Sequence, residues 1–126
     1  MTNQKKILVV EDEIAVLKLL TDRLSKEGFL VIGARDGKEG LELALKEAPD
    51  LILLDILMPV MDGMTMLEQL RNSAAGANIP VIMLSNLGET SKILQSQELG
   101  VVNYLIKTNF KLDDVIKIVK EKLQSF

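Results

Sequence analysis

The sequence predicts a three-layer α/β fold, five strand–helix units around one parallel sheet, with the order 2-1-3-4-5 preferred over a Rossmann-type arrangement. Three observations predict it. Short apolar runs of strand length recur at an even spacing: Ile7–Val10, Phe29–Ile32, Leu51–Leu54, Val81–Leu84 and Val101–Ile106. Segments with helical periodicity lie between them. The first, third and fourth runs are nearly continuous Val, Ile and Leu, as strands covered on both faces require. Alternation of this kind implies right-handed crossovers with helices on both sides of the sheet.

The elements follow in order. Leu17, Leu20 and Leu24 share one face of the first helix, and Leu41, Ala44 and Leu45 one face of the second. Strand 2, with Phe29, Gly33 and a mixed pattern, reads as an edge. Asp36 followed by Glu39 has capping-box spacing. Gly28 and Gly100 stand where helix C-caps belong, ahead of strands 2 and 5. Pro49 and Pro80 stand just outside strands 3 and 4. The clearest stripe, Leu112, Val115, Ile116, Val119 and Leu123, lies on the last helix. The stretch Asn72–Asn78, rich in Ala and Gly, is too short to separate domains. Residues 1–126 are therefore read as one domain of flavodoxin-like (βα)5 type, without room for an output domain.

Composition removes several function classes. The 126 residues are 48% hydrophobic and 26% charged, ordinary for a globular domain with a core. Without cysteine there can be no disulfide, thiol catalysis or Cys-based zinc site. Without histidine there is no His general base, and the chain cannot itself donate from a phosphohistidine. A net charge of −3 with no basic block gives no basis for direct nucleic-acid binding. No apolar run is long enough for membrane insertion, and only four apolar residues follow Lys6 before Glu11, unlike a signal peptide. Cytoplasmic location is the default expectation.

The residues directly after the strands carry the chemistry. Strand 1 is followed by Glu11-Asp12-Glu13, strand 3 by Asp55, strand 4 by Ser85 and strand 5 by Lys107. In the order 2-1-3-4-5 the chain reverses direction between strands 1 and 3, and ligands bind beyond their carboxyl ends. Each residue has a structural explanation taken alone: Asp12 could cap helix 1, Ser85 could satisfy a turn, and Lys107 could be a solvated charge. Their convergence on one sheet edge favours a shared role. Carboxylates brought close repel one another and call for a cation; hard oxygen donors of this kind suit Mg²⁺. A carboxylate can carry a phosphoryl group, whose equatorial oxygens then need positive or hydrogen-bonding partners.

These segments resemble the response-regulator receiver family, and the resemblance covers essentially the whole chain. Ile7-Leu8-Val9-Val10-Glu11-Asp12-Glu13 resembles the acidic strand 1 signature. The phosphoacceptor signature is matched by Leu51-Ile52-Leu53-Leu54-Asp55-Ile56-Leu57-Met58-Pro59-Val60-Met61-Asp62-Gly63, Val81-Ile82-Met83-Leu84-Ser85 resembles the switch-hydroxyl strand, and Tyr104-Leu105-Ile106-Lys107 the strand 5 signature. The resemblance implies Asp55 as phosphoacceptor, with Mg²⁺ bound by Asp12, Asp55 and the Leu57 backbone carbonyl, and by Glu11 mainly through water. It implies that Ser85 and Lys107 bind the phosphoryl group, and that Ser85 couples its arrival to Tyr104. Asp62-Gly63 reads as the cap and first turn of helix 3. The implied donor is a sensor histidine kinase or histidine phosphotransfer protein. The implied output is a downstream protein bound through the fourth helix (near Thr90–Leu99), strand 5 and the last helix. The only catalysis expected is of the chain's own phosphorylation and dephosphorylation.

Two positions depart from the family pattern. Thr108 follows Lys107 where Pro is usual, and Asn86 follows Ser85 where a very small residue is usual. A cis non-proline peptide costs roughly 3–4 kcal/mol, so the Lys107–Thr108 bond is expected to be trans. Leu57 and Leu87, each two residues beyond a site residue, are expected to overhang the phosphoryl group and slow its hydrolysis. Competing readings fit less well. A module of this fold that is never phosphorylated would not need all five site residues. A phosphohydrolase acting on other molecules needs an Asp-x-Asp that Glu11-Asp12-Glu13 does not supply. A flavin phosphate would be repelled by this anionic loop.

Overall fold

Five strands, β1 (Lys6–Val10), β2 (Leu30–Ala34), β3 (Leu51–Asp55), β4 (Val81–Ser85) and β5 (Asn103–Ile106), pair in parallel in the order β2-β1-β3-β4-β5. The computed structural model describes residues 4–85, 97–106 and 111–124. The predicted order and the edge position of β2 are both met.

Side chains alternate across the sheet, so each central strand feeds two cores. Ile7 and Val9 of β1, with Leu51 and Leu53 of β3, face α1 (Ile14–Lys26) and the C-terminal helix (Leu112–Gln124), meeting Leu20, Leu24, Val115, Ile116 and Val119. Leu8, Val10, Ile52 and Leu54 face the other way, toward α2 (Gly37–Glu47) and α3 (Gly63–Arg71), meeting Ala44, Met66, Leu67 and Leu70. All five residues of β3 are buried, which is why that strand has no polar residue before its last.

The helix ends are set by local chemistry. Gly28 has φ of 96° after α1, and the amides of Gly28 and Phe29 bond the carbonyls of Ser25 (3.1 Å) and Leu24 (3.2 Å), a Schellman closure. Gly100 likewise has positive φ, at 76°. Asp36 caps α2 by accepting from the Glu39 amide at 2.8 Å, and Asp62 caps α3 by accepting from Thr65 at 2.8 Å. At the sheet edge away from the acidic residues, Arg71 donates to the carbonyls of Leu99 (2.6 Å), Gly76 (2.9 Å) and Gly100 (3.5 Å), tying the end of α3 to two loops.

Three sequence expectations are corrected. β2 runs over Leu30–Ala34, later than Phe29–Ile32, because Gly33 and Ala34 pair with Val9 and Val10 and extend the ladder past the apolar run. β5 begins at Asn103: the turn at Gly100 delays the strand beyond Val101, and Val102 bonds only the start of β4, at Val81. Leu45 is exposed and not core, because α2 seats its small residues, Gly37, Gly40 and Ala44, on the sheet side and leaves Leu45 at the margin. The helix expected near Thr90–Leu99 falls mainly on residues 86–96, which lie outside the described residues; Gln97 and Glu98 are helical.

Candidate functional site

Strand register brings the acidic residues together. Val10 pairs with both Leu54 and Ala34, so the residues one step further, Glu11 and Asp55, emerge side by side at the carboxyl edge of the sheet. Asp55 in turn pairs with Leu84, which carries the next residue, Ser85, to the same edge opposite Ile106. Backbone bonds extend the ladders at this edge: Glu11 N–H to the Ala34 carbonyl (2.9 Å) and Ile56 N–H to the Leu84 carbonyl (3.1 Å).

Glu11 and Asp55 are buried and Asp12 is half-buried. Carboxylate oxygens of all three lie within 4.8 Å of one another, a group able to hold a metal ion. Charges this close near a protein surface repel by a few kcal/mol per pair, and hard oxygen donors are what a hard divalent cation takes. One Glu11 oxygen accepts from the Glu13 amide at 3.1 Å, which fixes the orientation of that carboxylate. Asp12 is not the cap of α1. The N-cap is Glu13, without a side-chain capping bond, so the structural explanation for Asp12 does not apply and its carboxylate faces the other acids instead.

The loop after Asp55 is shaped by its own backbone. The Met61 amide bonds the Pro59 carbonyl at 2.7 Å across Val60, whose φ is 69°, and this closes a tight γ-type turn. Leu57 is half-exposed on this loop. Gly63 is more than part of a first turn: its amide donates to Ile56 at 2.7 Å, and a β-carbon there would stand 2.1 Å from the Asp55 carbonyl oxygen. Sequence reading missed this contact. The available signal was a glycine inside a helix, where it weakens the helix unless something approaches closely.

Tyr104 lies on β5, half-buried against the α2–α3 core, with its hydroxyl oxygen out of solvent. The side chain of Ser85, and all of Asn86, Leu87, Lys107 and Thr108, lie outside the described residues, as does the Lys107–Thr108 bond.

Residues 7–120 match the family of response regulator receiver domains. The chain is 36% identical over 119 residues to sporulation initiation phosphotransferase F of Bacillus subtilis strain 168, covering 94% of each chain. It is 42% identical over 105 residues to the probable transcriptional regulator ycf27 of Cyanophora paradoxa, where it spans only 43% of that relative's length. Among solved structures, a CheY-like response regulator receiver domain protein from Methanospirillum hungatei JF-1 superposes with a TM-score of 0.90 at 29% identity, covering 98% of this chain and 96% of that one. The chemotaxis response regulator CheY4 of Vibrio cholerae gives 0.86 at 28% identity, covering 94% and 98%. Members of this family are typically phosphorylated on aspartate and interact with histidine kinases or phosphotransfer proteins. With the parallel order, the acidic edge and the family match in agreement, this chain belongs to the response regulator receiver domain family and is the receiver domain of a two-component response regulator.

Proposed function

We propose that Asp55 is the phosphoacceptor of this receiver and that its phosphorylation depends on Mg²⁺. One observation carries the reading: at the carboxyl end of β3, the buried Asp55 carboxylate stands within 4.8 Å of those of Glu11 and Asp12. A carboxylate oxygen of Asp55 attacks the phosphorus of a phosphohistidine, the P–N bond breaks, and the imidazole departs with the bonding pair. Having no histidine, the chain takes the group from another protein, a sensor histidine kinase or a histidine phosphotransfer protein. When bound, Mg²⁺ neutralises the clustered carboxylates and the charge of the phosphoryl oxygens. Asp12, Asp55 and the Leu57 backbone carbonyl would hold it, with Glu11 acting mainly through water. The Ser85 hydroxyl and the Lys107 ammonium take the remaining phosphoryl oxygens. Leu57 offers an attacking water no hydrogen-bond partner, which favours a slowly hydrolysing phosphoaspartate.

Ser85 then couples phosphorylation to Tyr104, and the surface that a downstream protein reads is the segment 90–99, β5 and the C-terminal helix. The reading places the protein in the cytoplasm; among the described residues, no helix is long and apolar enough to cross a membrane. The test is mass spectrometry after treatment with a small acyl-phosphate donor, with and without Mg²⁺. One phosphoryl group is expected on the wild type with Mg²⁺ and none on Asp55→Asn. Stoichiometric labelling of Asp55→Asn at another residue would overturn the assignment.

A further inference from the structure

The loop that follows Asp55 is braced from an unexpected direction. Its inner limb is tied to its own neighbours, Ile56 to Leu84 and Gly63 back to Ile56. Its outer limb, Pro59–Met61, receives a hydrogen bond from the first residue of α2: the Gly37 amide donates to the Met61 carbonyl at 2.9 Å. The first amides of a helix have no partner within it, so Gly37 has a donor to give. Contact is also direct. A β-carbon on Gly37 would lie 2.3 Å from the Met61 carbonyl oxygen, 2.9 Å from its carbon and 3.0 Å from the Asp62 oxygen. All three are backbone atoms, so no flexible side chain can swing away. Any residue larger than glycine must drive α2 and the loop apart.

We infer that Gly37 is a positioning residue for the acceptor loop, and that the N-terminus of α2 is the backstop that sets where the Leu57 carbonyl is presented. The inference rests on the reading of that carbonyl as a Mg²⁺ ligand. Gly37 touches neither metal nor phosphoryl group; it acts through Met61 and the strained turn at Val60. Groups that orient metal ligands without binding the metal typically alter affinity by 10–100-fold when changed.

The experiment compares the wild type, Gly37→Ala and Gly76→Ala by Mg²⁺ titration, followed through amide NMR shifts, together with thermal melting. Gly76 serves as the control: it lies before β4, away from the acidic edge, and a β-carbon there would be 2.4 Å from Leu70 Cδ1 and 2.7 Å from the Leu70 carbonyl oxygen. Both variants are expected to melt lower. Only Gly37→Ala is expected to raise the Mg²⁺ dissociation constant, by about tenfold, and to slow phosphorylation by an acyl phosphate at low Mg²⁺ with recovery at saturating Mg²⁺. A dissociation constant in Gly37→Ala no higher than in Gly76→Ala would overturn the inference while leaving the phosphoacceptor reading intact. No Mg²⁺ binding by the wild type would overturn that reading and the inference with it. Should Gly37→Ala not fold, hydrogen exchange at the wild-type Gly37 amide decides: slower exchange with Mg²⁺ and beryllofluoride supports the brace, and unchanged exchange refutes it.

Discussion

At Val60, φ is 69° and the side chain is 78% exposed. A β-branched residue in that region is strained by roughly 1–2 kcal/mol, and so exposed a side chain returns little by burial. The strain is local and serves the turn that brings Met61 back to Pro59. Glycine would remove it but would loosen the unfolded chain by about 0.5–1 kcal/mol. Val60→Gly is therefore expected to leave stability unchanged or raise it by up to about 1.5 kcal/mol, read by urea denaturation; a clear loss would show that the turn is unstrained with valine. Legibility at this scale was uneven. That Glu11, Asp12 and Asp55 come together was readable because the strand order carries the residues at the ends of strands 1 and 3 to one edge, although each has a structural use taken alone. The contacts of Gly37 and Gly63 were not, because a close backbone approach leaves no trace in composition or periodicity. Leu45 misled for a related reason: periodicity marks a face but not its width.

Between elements, α1 and the C-terminal helix are joined by more than their shared core. Arg23 pairs with Asp113 at 2.6 Å and with Glu27 at 3.6 Å, while Lys120 pairs with Glu27. The Lys120 hydrogen bond to Glu27 holds that carboxyl below its ordinary value of 4.5, with Arg23 helping and desolvation opposing. A carboxyl whose folded value is depressed adds stability above its unfolded pKa and loses it as pH falls through the folded one. The wild type is therefore expected to melt slightly above Glu27→Gln near neutral pH. That advantage should vanish on acidification below the ordinary carboxylate range, and shrink in high salt because the groups are partly open to solvent. Thermal melts across pH and ionic strength check it; a difference that persists in acid would mean that Glu27 acts through packing. None of this tie was legible beforehand. Helical periodicity locates the two apolar stripes, but the pairing of Arg23 with Asp113, ninety positions away, depends on the crossing of the helices. Strand existence was legible for the opposite reason, since Val, Ile and Leu runs covered on both faces leave few alternatives; strand ends moved because backbone pairing, not hydropathy, sets them.

Across the whole molecule, topology and the gathering of the acids were legible together, because the parallel order delivers every strand's following residue to one edge. That delivery opposes the fold's own stability. Register places Glu11 beside Asp55, and the turn into α1 adds Asp12, so folding gathers three acids that repel where no cation stands between them. Stability should therefore respond to metal as a property of the entire domain. A ligand that binds only the folded state stabilises it by about 2.7 kcal/mol at a concentration one hundred times its dissociation constant. For a domain of this size that is a rise of several degrees in melting temperature. Asp12 is the member to remove, since it is half-buried and its loss leaves no cavity in either core. Asp12→Ala is expected to abolish most of the Mg²⁺-dependent rise and to melt above the wild type when both are stripped by a chelator, because one repulsive partner is gone. The two effects have opposite signs, so a general weakening of the fold cannot imitate them. A wild-type melting temperature that stays flat through a Mg²⁺ titration would count against a metal at this edge. A chelated Asp12→Ala that melts below the chelated wild type would show that other contacts of Asp12 outweigh the repulsion.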